Sequence, residues 1–188
     1  MSVRERADER LVRAAGDLIV EVGPHAATVR AIASRAGVNH GLVHHYFKSK
    51  DDLLRAAMVR LVEEHRNFVK QEGGGDPIPP PMLLLEQRRY IRAVAHCVLD
   101  GEIDLALLEV TEGLSVPRAA FDHVRASRGG TADIELKSAL CVAMALEMGW
   151  VLLEPFIFAV AEVSDEEVPQ TRRAATELRR SMARMAAQ

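Results

Sequence analysis

Residues 28–54 read TVRAIASRAGVNHGLVHHYFKSKDDLL, and the spacing of capping, small and apolar residues in this stretch decides the fold. Thr28 is placed to cap a short helix reaching Arg35, and Asn39 to cap another reaching about Tyr46, because a side-chain oxygen there accepts from the free N–H groups of a first turn. Only Ala36-Gly37-Val38 lies between them. Two short helices that cross steeply need a small residue at the contact, which Ala33 supplies. The turn needs a residue that takes a left-handed backbone without cost, which Gly37 supplies. The inward positions Ile32, Ala36, Val38, Val43 and Tyr46 are apolar. Together these features predict a helix-turn-helix.

Outward from this motif the whole chain reads as all-α, with about nine helices and no sustained strand alternation. A first helix is expected from Val3 to Val22, with Ser2 and Glu5 spaced as a capping box and Gly23-Pro24 as its stop. Ser49 and Asp52 cap a fourth helix reaching about Gln71. Then GGGDPIPPP, residues 73–81, forms a loop through which no helix can continue. Further helices are expected at Met82–Leu99, Ile103–Thr111, Pro117–Ser127, Ala132–Ala161 and Asp165–Ala187, the last behind a Ser164/Glu167 capping box. The organisation read from these elements is a three-helix module at 1–48 and a longer helical body at 49–188.

A helix-turn-helix sets its second helix in the major groove with its N-terminal residues nearest the base edges. His40 and Leu42 then face DNA beside Asn39 and Gly41. Arg30 reaches a guanine edge, where a guanidinium donates two parallel hydrogen bonds. Thr28, His44, Tyr46, Lys48 and Lys50 lie near phosphates, which give affinity without reading sequence. The spacing of His40 and His44 also suits two zinc ligands on one helix face. The HExxH arrangement of a metal-dependent hydrolase fails, however, because Gly41 stands where the glutamate base belongs. No cofactor, metal or catalytic residue is expected, and the protein does not read as an enzyme.

The same stretch resembles the DNA-binding signature of the TetR (tetracycline-repressor-like) family of bacterial transcriptional regulators. The match rests on Thr28, Ile32-Ala33, Ala36-Gly37-Val38, Gly41, Phe47, Ser49-Lys50 and Leu53. The resemblance implies a homodimer on a near-palindromic operator, since a two-fold protein reads two related half-sites. The body would then bind a small ligand and dimerise. One departure is His44, where the family usually has an aromatic, commonly tyrosine, on a phosphate. A histidine there still donates, and makes binding strength open to pH.

Composition is consistent with this reading. Of 188 residues 48% are hydrophobic and 27% charged, which suits a folded globular protein. Residues 1–60 hold ten Lys/Arg against seven Asp/Glu, while the remainder is acidic. A basic N-terminal third on an acidic body suits a polyanion partner at one end. Cys97 and Cys141 are too few for a disulfide framework and are expected to be buried thiols in a reducing compartment. The charged start MSVRERADERL shows no secretory signal, so the expected location is cytoplasmic. The apolar run from Leu136 to Ala161 contains Lys137, Glu147, Glu154 and Pro155, and is expected to be a buried helix, not a membrane span.

In the body, the family resemblance suggests a ligand pocket among Phe68, Tyr90, Cys97, Phe121, Met144 and Met148, an apolar set suited to an apolar small molecule. It also suggests a four-helix dimer interface through Ala143, Gly149, Trp150, Ala174, Ala175, Leu178 and Met182, where small residues let helices approach closely. Control by a protein partner in place of a small ligand is the alternative.

Overall fold

Helix formers and stop signals alternate along this chain, and the backbone follows them. The structure, a computed structural model, describes residues 6–186. Among these residues there are ten α-helices, one 3-10 turn at Leu83–Glu86, and no strand. The helices are α1 (Ala7–Ala26), α2 (Val29–Ala36), α3 (His40–Tyr46), α4 (Lys50–Glu72), α5 (Arg88–Leu99), α6 (Ile103–Ala106), α7 (Leu108–Thr111), α8 (Val116–Ser127), α9 (Ile134–Val160) and α10 (Val168–Ala186). The expected Ser2/Glu5 capping box lies outside the described residues. At the first described turn Glu9 accepts the Arg6 N–H at 3.2 Å instead.

The chain packs as two units, Met1–Asn67 with Arg92–Ser115, and Phe68–Ile91 with Val116–Gln188. In the first, α1 lies against α2 and α3, and Leu11, Ile19, Ile32, Val43, Leu53 and Met58 are fully buried. Burying each such side chain contributes ~1.5–3 kcal/mol, enough for a small helical core to hold two short helices in place. In the second unit, α9 is the centre, packed by α8, α10 and the 3-10 turn.

Several expectations need correction. The expected stop of α1 at Gly23 is present, and what differs is a short turn beyond it. The glycine leaves helical geometry at φ 85, ψ 163, and one more turn follows through Pro24 to Ala26. The helix expected at Met82–Leu99 is a 3-10 turn and a separate α5. Met82 takes a left-handed φ of 64° after the proline run, and Gln87 breaks the path at φ −111, ψ 36. The helix expected at Ile103–Thr111 is two short ones, parted at Leu107, whose ψ of 0° closes a turn instead of continuing a helix. Ser164 and Glu167 do bond, with Glu167 Oε2 accepting the Ser164 N–H at 2.9 Å, but α10 begins after them at Val168.

The largest departure is α9. Expected to be buried, it has only Leu136, Val151, Glu154 and Phe158 buried within the chain. Phe156 is 67% exposed and Val160 68%. Cys97 is buried as expected, but Cys141, near the start of α9, is exposed. Tyr46, read as inward-facing, is also exposed.

Candidate nucleic-acid interface

The motif is assembled by local hydrogen bonds that its sequence supplies. Thr28 Oγ1 accepts from the Ala31 N–H at 3.2 Å and caps α2. Gly37 ends that helix in the left-handed conformation, φ 64 and ψ 37. The Val38 N–H then bonds back to the Ala33 carbonyl at 3.0 Å, satisfying an end that would otherwise be left open. Asn39 Oδ1 accepts from the Gly41 N–H at 2.9 Å and caps α3. Helix α1 fixes the pair from outside. Arg10 Nη1 donates to the Ala36 carbonyl at 3.1 Å, where a cation favours the negative end of α2. Arg35 and Glu21 meet at 2.7 Å, and this contact raises the Arg35 pKa.

With Val43 buried beneath it, α3 presents its other side outward. His40, Gly41, Leu42, His44 and Tyr46 are exposed, as are Thr28, Arg30, Asn39 and Lys48. The imidazoles of His40 and His44 stand 5.9 Å apart between ring centroids, edge to face. His45 packs edge-on to Tyr46 at 5.0 Å. Among the described residues no group of three His, Cys, Asp or Glu side chains gathers that could hold a metal. Lys50 differs from the other cations. It is half-buried, and its ammonium donates to the His25 carbonyl at 3.3 Å. The Ser49 cap of α4 is present, with Oγ accepting from the Asp52 N–H at 3.0 Å.

The body residues singled out from sequence divide between the units. Phe68, Tyr90, Phe121, Met144 and Met148 belong to the second, and Cys97 to the first. Tyr90 and Phe121 are buried, while Phe68, Met144 and Met148 are half-buried. Burial, together with the charges of Asp100 and Glu102, pushes the Cys97 thiol up to about 12, so it behaves as an inert apolar group. On α9, Gly149 lies open, with nothing within 4 Å of where a Cβ would stand. Trp150 is engaged inside the unit, edge-on to Phe158 at 5.9 Å, and its indole donates to Glu154 at 3.0 Å. Leu178 and Met182 are exposed on α10 together with Ala174, and Ala175 is half-buried.

Sequence reading missed two groups. Glu154, buried on the apolar α9, accepts hydrogen bonds from Arg88 and Arg172 as well as Trp150. The Arg172 guanidinium in particular holds its carboxyl down at about 2. The other is Asp100, which accepts the His25 N–H at 3.1 Å from a point 75 positions further along the chain. An acidic residue inside a long apolar helix signals the first in retrospect. Nothing local to Asp100-Gly101 signals the second.

Comparison with known proteins agrees with this geometry. The family model for bacterial regulatory proteins of the tetR family matches residues 11–57, from α1 into α4. The chain is 30% identical over 166 residues to the HTH-type transcriptional repressor Rv3405c of Mycobacterium tuberculosis (strain ATCC 25618 / H37Rv), covering 86% of this chain and 81% of that protein. HTH-type transcriptional regulator BetI of Klebsiella pneumoniae (strain 342) is 47% identical over 60 residues, 32% of this chain and 31% of that one. A solved structure of a tetR-family transcription regulator from Shewanella sp. PV-4 shares the fold at TM-score 0.56 and 14% identity, covering 93% of this chain and 95% of that chain. These relatives are regulators and not enzymes, which removes the metal-hydrolase reading of His40 and His44. With capped α2 and α3 set on α1 and further helices following in the chain, this protein belongs to the TetR family of DNA-binding bacterial transcriptional regulators.

Proposed function

We propose that this protein is a homodimeric repressor that reads a near-palindromic operator through α3 and leaves it when an apolar small molecule binds the body. The observation that carries the DNA part is the exposed row His40, Gly41, Leu42 and His44 above the buried Val43, flanked by the exposed Arg30. Such a helix meets base edges, while Thr28, His44, Tyr46 and Lys48 supply phosphate contacts; Lys50, bonded to the His25 carbonyl, is left to position the motif. The module at 1–48 reads DNA, and the remainder binds ligand and dimerises. A repressor of similar sequence, Rv3405c, supports the sign of regulation.

Dimerisation draws support from the uncovered face of α9. Val142, Ala145, Gly149, Leu153, Phe156 and Val160 recur at helical spacing, and all but the half-exposed Gly149 are exposed. On α10, Ala174, Leu178 and Met182 do the same. Burying a large apolar side chain fully is worth ~1.5–3 kcal/mol, so a stripe of this kind favours a second copy over water. By length and composition alone α9 could cross a membrane. Its Glu154, tied to Arg88 and Arg172, and its Glu147, 3.4 Å from Arg179, suit a helix packed among protein. A soluble cytoplasmic dimer accounts for both the apolar stripe and the ion pairs.

Release follows by population shift: a ligand that binds better to a conformation with misaligned modules lowers operator affinity by that difference. Phe68, Tyr90, Phe121, Met144 and Met148, all of the second unit, supply the apolar lining. Selection of bound duplexes from random sequence tests the whole reading. A two-fold consensus is expected, and a chain that enriches no sequence would sink it. Calorimetry of the full protein against apolar metabolites then tests the ligand part.

A further inference from the structure

The turn that launches α2 is held by Asp100, just past α5, and by Lys50, at the start of α4. Gly23 breaks α1, and the short turn behind it has Pro24 first and His25 second, with the Ala27 N–H returning to the Gly23 carbonyl at 3.2 Å. Gly23 therefore stands at the N-cap of this turn. Proline suits the first position because its missing N–H would be unpaired there anyway. The second position has an N–H that a cap side chain normally accepts. Glycine has no side chain to offer, and Asp100 Oδ2, from beyond the end of α5, accepts the His25 N–H at 3.1 Å in its place. On the other side of the same residue, Lys50 at the start of α4 donates to the His25 carbonyl at 3.3 Å.

Gly23 is shaped for this arrangement. Its φ of +85° is one that L side chains rarely adopt, and a Cβ there would lie 2.6 Å from Asp100 Oδ2 and 3.2 Å from His96 Nδ1. The carboxylate occupies the place a side chain would need. Three residues after the clamped His25, at Thr28, the cap of α2 begins. The direction in which α2 and α3 leave α1 thus depends on where Asp100 and Lys50 hold this turn.

We infer that Asp100 is a positioning residue for operator recognition, capping the Gly23–His25 turn from the turn that follows α5, and that Gly23 is the residue that admits it. Asp100 lies outside the stretch that matches the family model, residues 11–57. The DNA-reading module is then incomplete without the end of α5. The inference rests on the reading that α3 enters the groove, since only then does its direction bear on base contacts.

The test uses the full-length protein. Affinities for the selected operator and for a random duplex are measured for the wild type, Asp100→Ala and Asp100→Asn, with amide hydrogen exchange followed at His25. Asp100→Ala is expected to speed exchange at that amide and to lower the operator-to-random ratio by about threefold to tenfold, the range of one modest hydrogen bond. Asp100→Asn keeps an accepting oxygen and should restore most of both. Gly23→Ala should reproduce the Asp100→Ala pattern. A general loss of stability would lower binding to both duplexes and leave the ratio alone. Unchanged exchange at His25 in Asp100→Ala, an unchanged ratio, or no rescue by asparagine each overturns the inference. A wild type that prefers no sequence overturns the function proposed above instead, and the exchange result still reports whether the cap exists.

Discussion

Arg172 closes on Glu154 through two hydrogen bonds, 2.8 Å from its Nε to Oε1 and 2.6 Å from an Nη to Oε2. This pair ties α10 to the middle of α9, the two helices whose outer faces are apolar and open. Arg88 and the Trp150 indole complete the carboxylate's shell. A carboxylate buried on an apolar helix is tolerated because its oxygens are all engaged.

Replacing that carboxylate should loosen α10. Glu154→Gln is expected to destabilise the protein by about 1–3 kcal/mol, the range for hydrogen bonds to charged groups. The lower half of that range is favoured because both arginines are partly exposed to solvent. Denaturant unfolding would check this, and no change in midpoint would contradict it. The pH dependence has a definite sign. The folded carboxyl is held at about 2, against ~4.3 for an unfolded glutamate. Its contribution is present above the unfolded value and is lost as pH falls through the folded one. Wild-type stability should therefore drop more steeply than that of Glu154→Gln on acidification from about pH 5 to about pH 2.

An arginine at Gly149 should prevent dimerisation. The position is open in the single chain, so Gly149→Arg leaves the protomer fold intact while setting a charge into the proposed contact. Phe156→Asp should act similarly. Sedimentation at micromolar protein is expected to show monomers for both variants. A dimer unaffected by either substitution would move the interface elsewhere.

Arg30→Ala should cost about 1–3 kcal/mol on the operator and relax preference at one base pair per half-site. Lys48→Ala should weaken operator and random duplex alike and flatten the salt dependence by about one counterion per protomer. Titrations at several salt concentrations distinguish the two behaviours. Equal losses for Arg30→Ala on both duplexes would reassign it to the phosphates.

His40 and His44 are both exposed on α3. An imidazole N–H donates to a phosphate oxygen as a tyrosine hydroxyl does. His44→Ala is expected to weaken operator and random duplex alike, while His44→Tyr keeps a donor and should retain most of the affinity. Filter binding on both duplexes checks this, and His44→Ala binding like the wild type would remove His44 from the phosphate contact.

Much of the DNA-reading module is legible locally because its determinants are local. Thr28, Gly37 and Asn39 each act within a few residues, through a hydrogen bond or a left-handed turn, so their roles follow from position and type alone. Leu107 and Gln87, by contrast, break helices without any glycine or proline. Both breaks show in the backbone angles, φ −111 and ψ 36 at Gln87 and φ −78 and ψ 0 at Leu107, and no short sequence pattern records them. The apolar run of α9 shows the other limit. Hydrophobicity says that a surface must be covered, but not whether its own chain or another copy covers it.

The sequence by itself determined the helical class, the capped α2 and α3, the loop at 73–81 and the kinship, because these depend on interactions between residues close along the chain. Only the tertiary structure decided that Asp100 caps the turn before α2, that Lys50 bonds the His25 carbonyl, that Glu154 gathers two arginines, and that α9 keeps an open face. Each of these joins residues far apart in the chain, or depends on which face of a helix the rest of the protein leaves uncovered. Residue spacing carries the first kind of information and not the second.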